Sequence, residues 1–224
     1  MSKEIINTIL LAGMFLSLFA IAEMLYHKLK VKAGHTRQIV HIGTGLLCML
    51  FPLMLGNHWF VLLLCGAFAI ALFLSLEFNL LRSINAIDRF SYGSLLYPIA
   101  VYGCYLVYNY FQNNLLLFYL PLLTMAICDP VAAIFGKQWP YGKFHIRQHT
   151  KTVMGSSAFF FSSVILTITL FYFFSAGNFY INSVLPMALL IAGLTTLAEA
   201  YSINGLDNIA IPLCVVLVLT LVHA

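Results

Sequence analysis

Glu77, Asp129, Glu199 and Asp207 each stand where a long apolar stretch of the chain ends or begins. An ionised carboxylate in hydrocarbon costs several kcal/mol, so acids gathered at one edge of a membrane mark a functional site. Ten of the eleven Lys and Arg residues fall in loops on the same side. The strongest local combination is Asp129, followed after a polar loop by Lys151-Thr152-Val153-Met154-Gly155-Ser156. A helix N-terminus with free amides, a lysine and nearby hydroxyls suits a phosphate chain. Thr150 or Thr152 is placed to cap that helix, with its amides directed into the site. Asp129 suits magnesium, which prefers carboxylate oxygens together with phosphate oxygens from a substrate. The spacing of a soluble phosphate-binding loop, G-x-x-x-x-G-K-S/T, is missing, so that fold is excluded. The plainer alternative is a basic loop that only orients the protein, with Asp129 paired inside the bundle.

A second constellation runs from Glu199 through the Asn204-Gly205 turn to Asp207-Asn208 and Pro212. Either Asp207 or Asn208 serves as an ordinary helix N-cap, but capping does not need both, nor a glutamate one turn short of the interface. Two carboxylates and an amide around one tight turn suit a metal ion or a ribose. A third is Arg37 and His41, four residues apart and so on one helix face. Arg37 alone is an interfacial anchor, whereas a histidine one turn deeper can donate to a phosphate or shuttle a proton. Glu77 and Arg82 are expected to pair with each other, and Glu23 with Lys28 or another neighbour. His27, His35 and His58 carry no functional reading, and His145 and His149 only that of their loop.

The elements that must position these residues are membrane helices. The chain is 62% hydrophobic and 8% charged, against about 25% charged residues in a soluble domain. Apolar runs fill almost all of it, so residues 1–224 read as one all-α, polytopic transmembrane bundle with its active site at the cytoplasmic face. Spans are expected near 5–26, 39–55, 59–77, 93–111, 115–136, 154–176, 181–202 and 207–223. The last is short, so the count is eight or seven. Lys28, Lys30, Lys32, Arg37, Arg82, Arg89, Lys137, Lys143, Arg147 and Lys151 place the first, third and fifth loops in the cytoplasm, with both termini outside if there are eight spans. The net charge of +4 is shared among short loops and does not indicate nucleic-acid binding. Ala20-Ile21-Ala22 resembles a cleavage site, but Glu4 directly after Lys3 and the basic flank 28–32 favour an uncleaved first span. The five cysteines show no paired spacing and read as packing residues. Loop 78–92, with Asn79, Asn85, Asp88 and Ser91, is expected to form a short interfacial helix. Loop 137–153, with Pro140 and Gly142, is expected to be a shaped loop.

Four motifs in order now resemble a known family: Arg37-Gln-Ile-Val-His41, Asp129-Pro-Val-Ala-Ala-Ile-Phe-Gly136-Lys137, Lys151-Thr-Val-Met-Gly155-Ser156 and Glu199-Ala-Tyr-Ser through Asp207-Asn208-Ile-Ala-Ile-Pro212. They resemble the polyprenol kinases, the CTP-dependent membrane kinases that include dolichol, phytol and farnesol kinases, over about residues 37–213. The resemblance implies transfer of the γ-phosphate of CTP to the hydroxyl of a membrane lipid alcohol: a prenol, a polyprenol or diacylglycerol. It implies catalytic roles for Asp129, Lys151, Glu199 and Asp207. Arg37, His41, Gly136, Lys137, Lys151, Thr152, Gly155, Ser156 and Asn208 would bind nucleotide and phosphate, and Asp129, Asp207 and Asn208 would hold Mg2+. Cys128 stands where the family commonly has glycine, Met154 where many members have an acid, and Gln38 where lysine is usual. Which carboxylate is base and which is ligand stays open. Phosphatidate cytidylyltransferase, another CTP enzyme, is the nearest alternative, but its His-Gly-Gly motif is absent from the chain. An ion-coupled transporter ranks lower, because the acids sit at helix ends and no inverted repeat is visible. A lipid tail is recognised by an apolar groove, which leaves no motif, so the particular alcohol is not legible.

Overall fold

The structure, a computed structural model, describes residues 3–78, 80–86, 91–146, 149–175 and 179–223. Asn79, Asp88, Arg89 and Arg147 lie outside the described residues. The chain runs through helices α1 (Lys3–His27), α2 (Ala33–Cys48), α3 (Phe51–Met54), α4 (His58–Glu77), α5 (Arg82–Asn85), α6 (Gly93–Tyr110), α7 (Leu116–Leu123) and α8 (Asp129–Gln138). A short hairpin follows, β1 (Lys143–Ile146) with β2 (His149–Thr152), and then α9 (Val153–Phe174), α10 (Ile181–Tyr201) and α11 (Asp207–His223). A π-helical turn, Thr124–Cys128, joins α7 to α8 as one continuous span.

Six of these segments are long and apolar enough to cross a membrane: Lys3–His27, Ala33–Met54, His58–Glu77, Leu116–Gln138, Val153–Phe174 and Ile181–Tyr201. Asp207–Leu221 is a shorter apolar helix, and α6 is 18 residues long with five tyrosines in it. Outward faces are strongly apolar: Leu53, Phe173 and Leu221 are 71%, 72% and 77% exposed. Water would penalise so many exposed side chains of this kind, and lipid does not.

The tyrosines repair breaks that prolines make. Pro52 cannot donate to the Cys48 carbonyl, so α2 stops and α3 restarts around it. Leu53 N turns to Leu50 O at 3.1 Å, and the freed Met49 carbonyl accepts from the Tyr119 hydroxyl at 3.0 Å. Tyr105 Oη closes the end of α3 by donating to Leu55 O at 2.5 Å. Such carbonyls need internal partners because hydrocarbon supplies none. Around them Phe15, Phe51, Val101, Phe118 and Leu122 form the main apolar core.

At the polar end the structure departs from expectation in several places. Span two begins at Ala33, not near residue 39, because the polar turn Gly34-His35-Thr36-Arg37 extends the helix beyond its apolar part. Arg37 is therefore inside α2. The segment 143–152 is an antiparallel hairpin, with Lys143 opposite Thr152 and Ile146 opposite His149. Gly142 enters it with φ +64, where a Cβ would press on the Val153 side chain at 2.7 Å. Residues 82–85 do form the expected short helix, but it is anchored by Asn85 Nδ2 donating to Leu80 O at 2.8 Å and Ser75 Oγ at 3.0 Å. Glu23 pairs with a neighbour as expected, His27 at 3.0 Å, and also accepts from Ser83 N at 2.9 Å. Glu77 and Arg82 form no ion pair among the described residues.

Candidate active site

Asp129 opens α8 directly after the π-helical turn, deep in the bundle. Such a turn inserts one extra residue per helical repeat and often marks a functional position. In that register the next donor to the Met125 carbonyl would be Pro130, which has no N–H. His41 Nε2 takes its place, 3.1 Å from Met125 O. A carbonyl only accepts, so His41 carries its proton on Nε2 there, and in the neutral ring Nδ1 is an acceptor. His41 is held further by Tyr97, whose ring stacks edge-on at 4.9 Å and whose hydroxyl donates to His41 O at 3.1 Å. His41 therefore helps to hold the broken helix beneath Asp129, and its Nε2 donor is committed to the Met125 carbonyl and not to a phosphate.

Lys151 arrives on β2 and Glu199 on the last turn of α10. Lys151 Nζ donates to the Glu199 carbonyl at 3.0 Å and forms an ion pair with the Glu199 carboxylate. Glu199 is 5% exposed, so it cannot rely on water for its charge and Lys151 must supply the balance. Asp129 lies close enough to feel Asp207, Glu199, Lys151 and Arg37 electrostatically. Among the described residues no hydrogen bond engages its carboxylate.

Thr152 caps α9, its Oγ1 accepting from Gly155 N at 3.0 Å. The two preceding amides are also taken: Val153 N donates to Gly142 O at 3.0 Å and Met154 N to Tyr141 O at 3.4 Å. The amides opening this helix are thus satisfied by its own cap and the hairpin base, and do not form the free cradle expected from the sequence. What faces a ligand instead is side chains. Ser156 lines the cavity described below; its Oγ is buried with no hydrogen-bond partner among the described residues, as are the hydroxyls of Ser83, Ser163 and Thr196.

Gly136 and Gly155 let α8 and α9 touch. A Cβ on Gly155 would lie 2.9 Å from the Ala132 carbonyl oxygen and 3.4 Å from Gly136 Cα. Backbone atoms cannot yield as a side-chain tip does, so Gly155→Ala is expected to push the two helices apart. Overpacking of this kind costs about 1–3 kcal/mol, which should appear as a lower unfolding temperature in detergent together with weaker nucleotide binding.

Across the cavity, Gly205 at φ +88 packs on Gly93 so tightly that a Cβ would overlap the Gly93 backbone. Tyr92 N donates to Asn204 O at 2.8 Å, and Asn208 Nδ2 to Gly93 O at 3.1 Å. Asn208 therefore ties α11 to α6 through its nitrogen, which leaves Oδ1 as the atom able to meet a cation. Asp207 Oδ1 accepts from Asn208 N at 3.0 Å. Arg37 Nη2 donates to Ser91 Oγ at 3.0 Å, an orienting contact that no sequence motif announced.

These elements enclose one polar cavity of about 660 Å³. Arg37, His41, Asp129, Gly136, Lys137, Lys151, Thr152, Gly155, Ser156, Glu199, Asp207 and Asn208 all line it. Among the described residues no three His, Cys, Asp or Glu side chains converge as a ready-made metal site. Magnesium usually takes one or two carboxylates and completes its shell with water and phosphate oxygens. Asp129, Asp207 and the Asn208 amide suit an ion that arrives with a phosphate chain better than one bound alone.

A helical membrane bundle with an acid- and cation-lined cavity at one end is the class of protein these features define. The chain is 29% identical over 210 residues to the phytol kinase of Synechocystis sp., covering 91% of this chain and 86% of that protein. That similarity supports a polyprenol or phytol kinase-like family for the chain. No family model and no solved structure matches it.

Proposed function

We propose that this protein is a membrane kinase that phosphorylates the hydroxyl of a lipid alcohol, with CTP as donor and with Asp129, Asp207 and Asn208 as the residues that would hold magnesium. Similarity to a phytol kinase supports the kinase class. The observation that carries the reading is the cavity itself: carboxylates, Lys151, Lys137 and Arg37 meet in one polar space, and a mostly apolar cavity beside it shares Arg37, His41 and Asn208 in its lining. A water-soluble donor and a lipid hydroxyl can meet only at such a junction.

Phosphoryl transfer needs positioning and charge neutralisation more than covalent chemistry from the protein. Lys151, Lys137 and Arg37 balance the phosphate chain, and Ser156 Oγ supplies a neutral hydrogen bond. The magnesium ion, when bound, would offset charge on the phosphate oxygens. The lipid oxygen forms a bond to the γ-phosphorus as the bond to the β–γ bridging oxygen breaks, releasing CDP. The oxygen of Asp129 that would not meet the ion accepts the hydroxyl proton, because Glu199 is already committed to Lys151. Glu199 is then a positioning residue that holds Lys151 above the phosphates. The net excess of cations in the loops at this end supports a cytoplasmic site, where nucleotide is available.

The test is purified protein in detergent with magnesium, γ-labelled CTP or ATP, and a panel of prenols, a long polyprenol and diacylglycerol. Label in a lipid phosphate, from CTP and not ATP, is the expected result. Pyrophosphate release when phosphatidic acid is supplied, with no labelled lipid, would replace the kinase reading by cytidylyl transfer.

A further inference from the structure

Ser91 lies just ahead of α6 and belongs to none of the four motifs, yet its hydroxyl ties elements of the site together. Its Oγ accepts from Gly93 N at 3.2 Å, a local turn that any helix entry could use. It also accepts from Arg37 Nη2 of α2 at 3.0 Å. A serine hydroxyl has two lone pairs and one proton, so N–H donors occupy both lone pairs. The proton must then point in a third direction, and among the described residues nothing accepts it. Ser91 lines the polar cavity. Two glycines make room for this arrangement. A Cβ on Gly93 would lie 2.7 Å from Asn208 Nδ2, 3.1 Å from Arg37 Nη2 and 3.2 Å from Ser91 Oγ, and one on Gly205 would lie 2.9 Å from Ser91 Oγ. Donors from α2, from the entry to α6 and from α11 therefore crowd over a single glycine.

We infer that Ser91 binds the phosphoryl group that moves to the lipid, by donating its own proton and by aiming the Arg37 guanidinium at the same group. This rests on the kinase reading and deepens it by dividing the phosphate chain between two ends of the cavity. Arg37 and Asn208 line both the polar cavity and the mostly apolar one beside it, whereas Lys137, Lys151, Thr152 and Ser156 line the polar one alone. The acceptor is a lipid, so the group that reaches it stands at the edge the two linings share. The phosphates that leave with the nucleotide stand by the lysines. A guanidinium holds its N–H donors in one rigid plane, so the bond to Ser91 sets the direction of the others. An arginine held before the ligand arrives loses less side-chain freedom on binding, and donors already aimed at developing charge need no reorganisation. Ser91 makes and breaks no covalent bond, and its proton stays on Oγ.

The experiment measures binding of a labelled prenyl monophosphate and of CDP to the detergent-purified native protein, Ser91→Ala and Ser91→Cys, followed by steady-state phosphorylation. The monophosphate carries the transferred phosphoryl group and CDP lacks it, so CDP reports any general damage to the cavity. Ser91→Ala should weaken monophosphate binding and lower kcat by at least about tenfold each, the size of a lost hydrogen bond to a charged group, while CDP affinity stays within about twofold. Ser91→Cys fills nearly the same space with a poor donor and acceptor, so it keeps the packing and should lose as much. A Ser91→Cys protein that binds and turns over like the native one would make Ser91 a packing residue and overturn the assignment. An equal loss of CDP affinity in both variants would overturn it too. If both variants lose monophosphate binding alone but the native protein phosphorylates no alcohol, the subsite stands and the kinase reading falls. Phosphorylation that Ser91→Ala leaves untouched keeps the kinase reading and removes the subsite.

Discussion

Asp129→Asn is expected to reduce lipid phosphorylation by about 10³-fold, within the range for removal of a general base, while the protein stays folded. The amide has the shape of the carboxylate, so the π-helical turn before it and the Met125–His41 contact below it should persist. What disappears is a proton acceptor and a negative charge facing the phosphate chain. Initial rates with labelled nucleotide, measured beside the thermal unfolding of both forms in detergent, separate these outcomes. A fall in kcat with an unchanged unfolding temperature is the chemical effect. A loss below about tenfold would transfer the base to Glu199, and Glu199→Gln would then have to show the larger fall in kcat.

The contrast between Asp129 and Glu199 also shows where the sequence was readable. Both acids were conspicuous, because a carboxylate at the end of an apolar run has few structural reasons to be there. The helices followed from hydropathy, and the cap was narrowed to Thr150 or Thr152, of which the structure uses Thr152. The π-helical turn was not readable: Thr124-Met125-Ala126-Ile127-Cys128 is as apolar as the rest of its span, and the register change depends on Pro130 and on His41 from another helix. The hairpin was hidden for a similar reason. Its strands are four residues each, too short for an alternating pattern to stand out, and its base is fixed by Gly142 and Tyr141 carbonyls meeting the first amides of α9. Those same bonds overturned the amide cradle, which sequence alone could not deny because it shows the donors and not their partners. The apolar cavity left no trace either, since its lining residues look like any core.

The Lys151–Glu199 pair should give the second large effect, and it separates structure from chemistry. Glu199→Ala leaves Lys151 as an uncompensated charge in a largely buried place, with a side chain 19% exposed. Breaking such a pair costs about 3–5 kcal/mol, so the unfolding temperature in detergent should fall by many degrees. Lys151→Met with Glu199→Gln removes both charges and keeps the volume, and should recover most of that stability, because a well-packed neutral pair is often no worse than a buried ion pair. Activity should not recover with it. If Lys151 balances the phosphates, the double variant stays inactive and its nucleotide affinity remains low. Deleting a charge-assisted hydrogen bond costs about 1.5–3 kcal/mol, or roughly tenfold to more than a hundredfold in affinity. A double variant that regained both stability and phosphoryl transfer would make the pair a strut between the hairpin and α10, and the phosphate charge would then fall to Arg37 and Lys137.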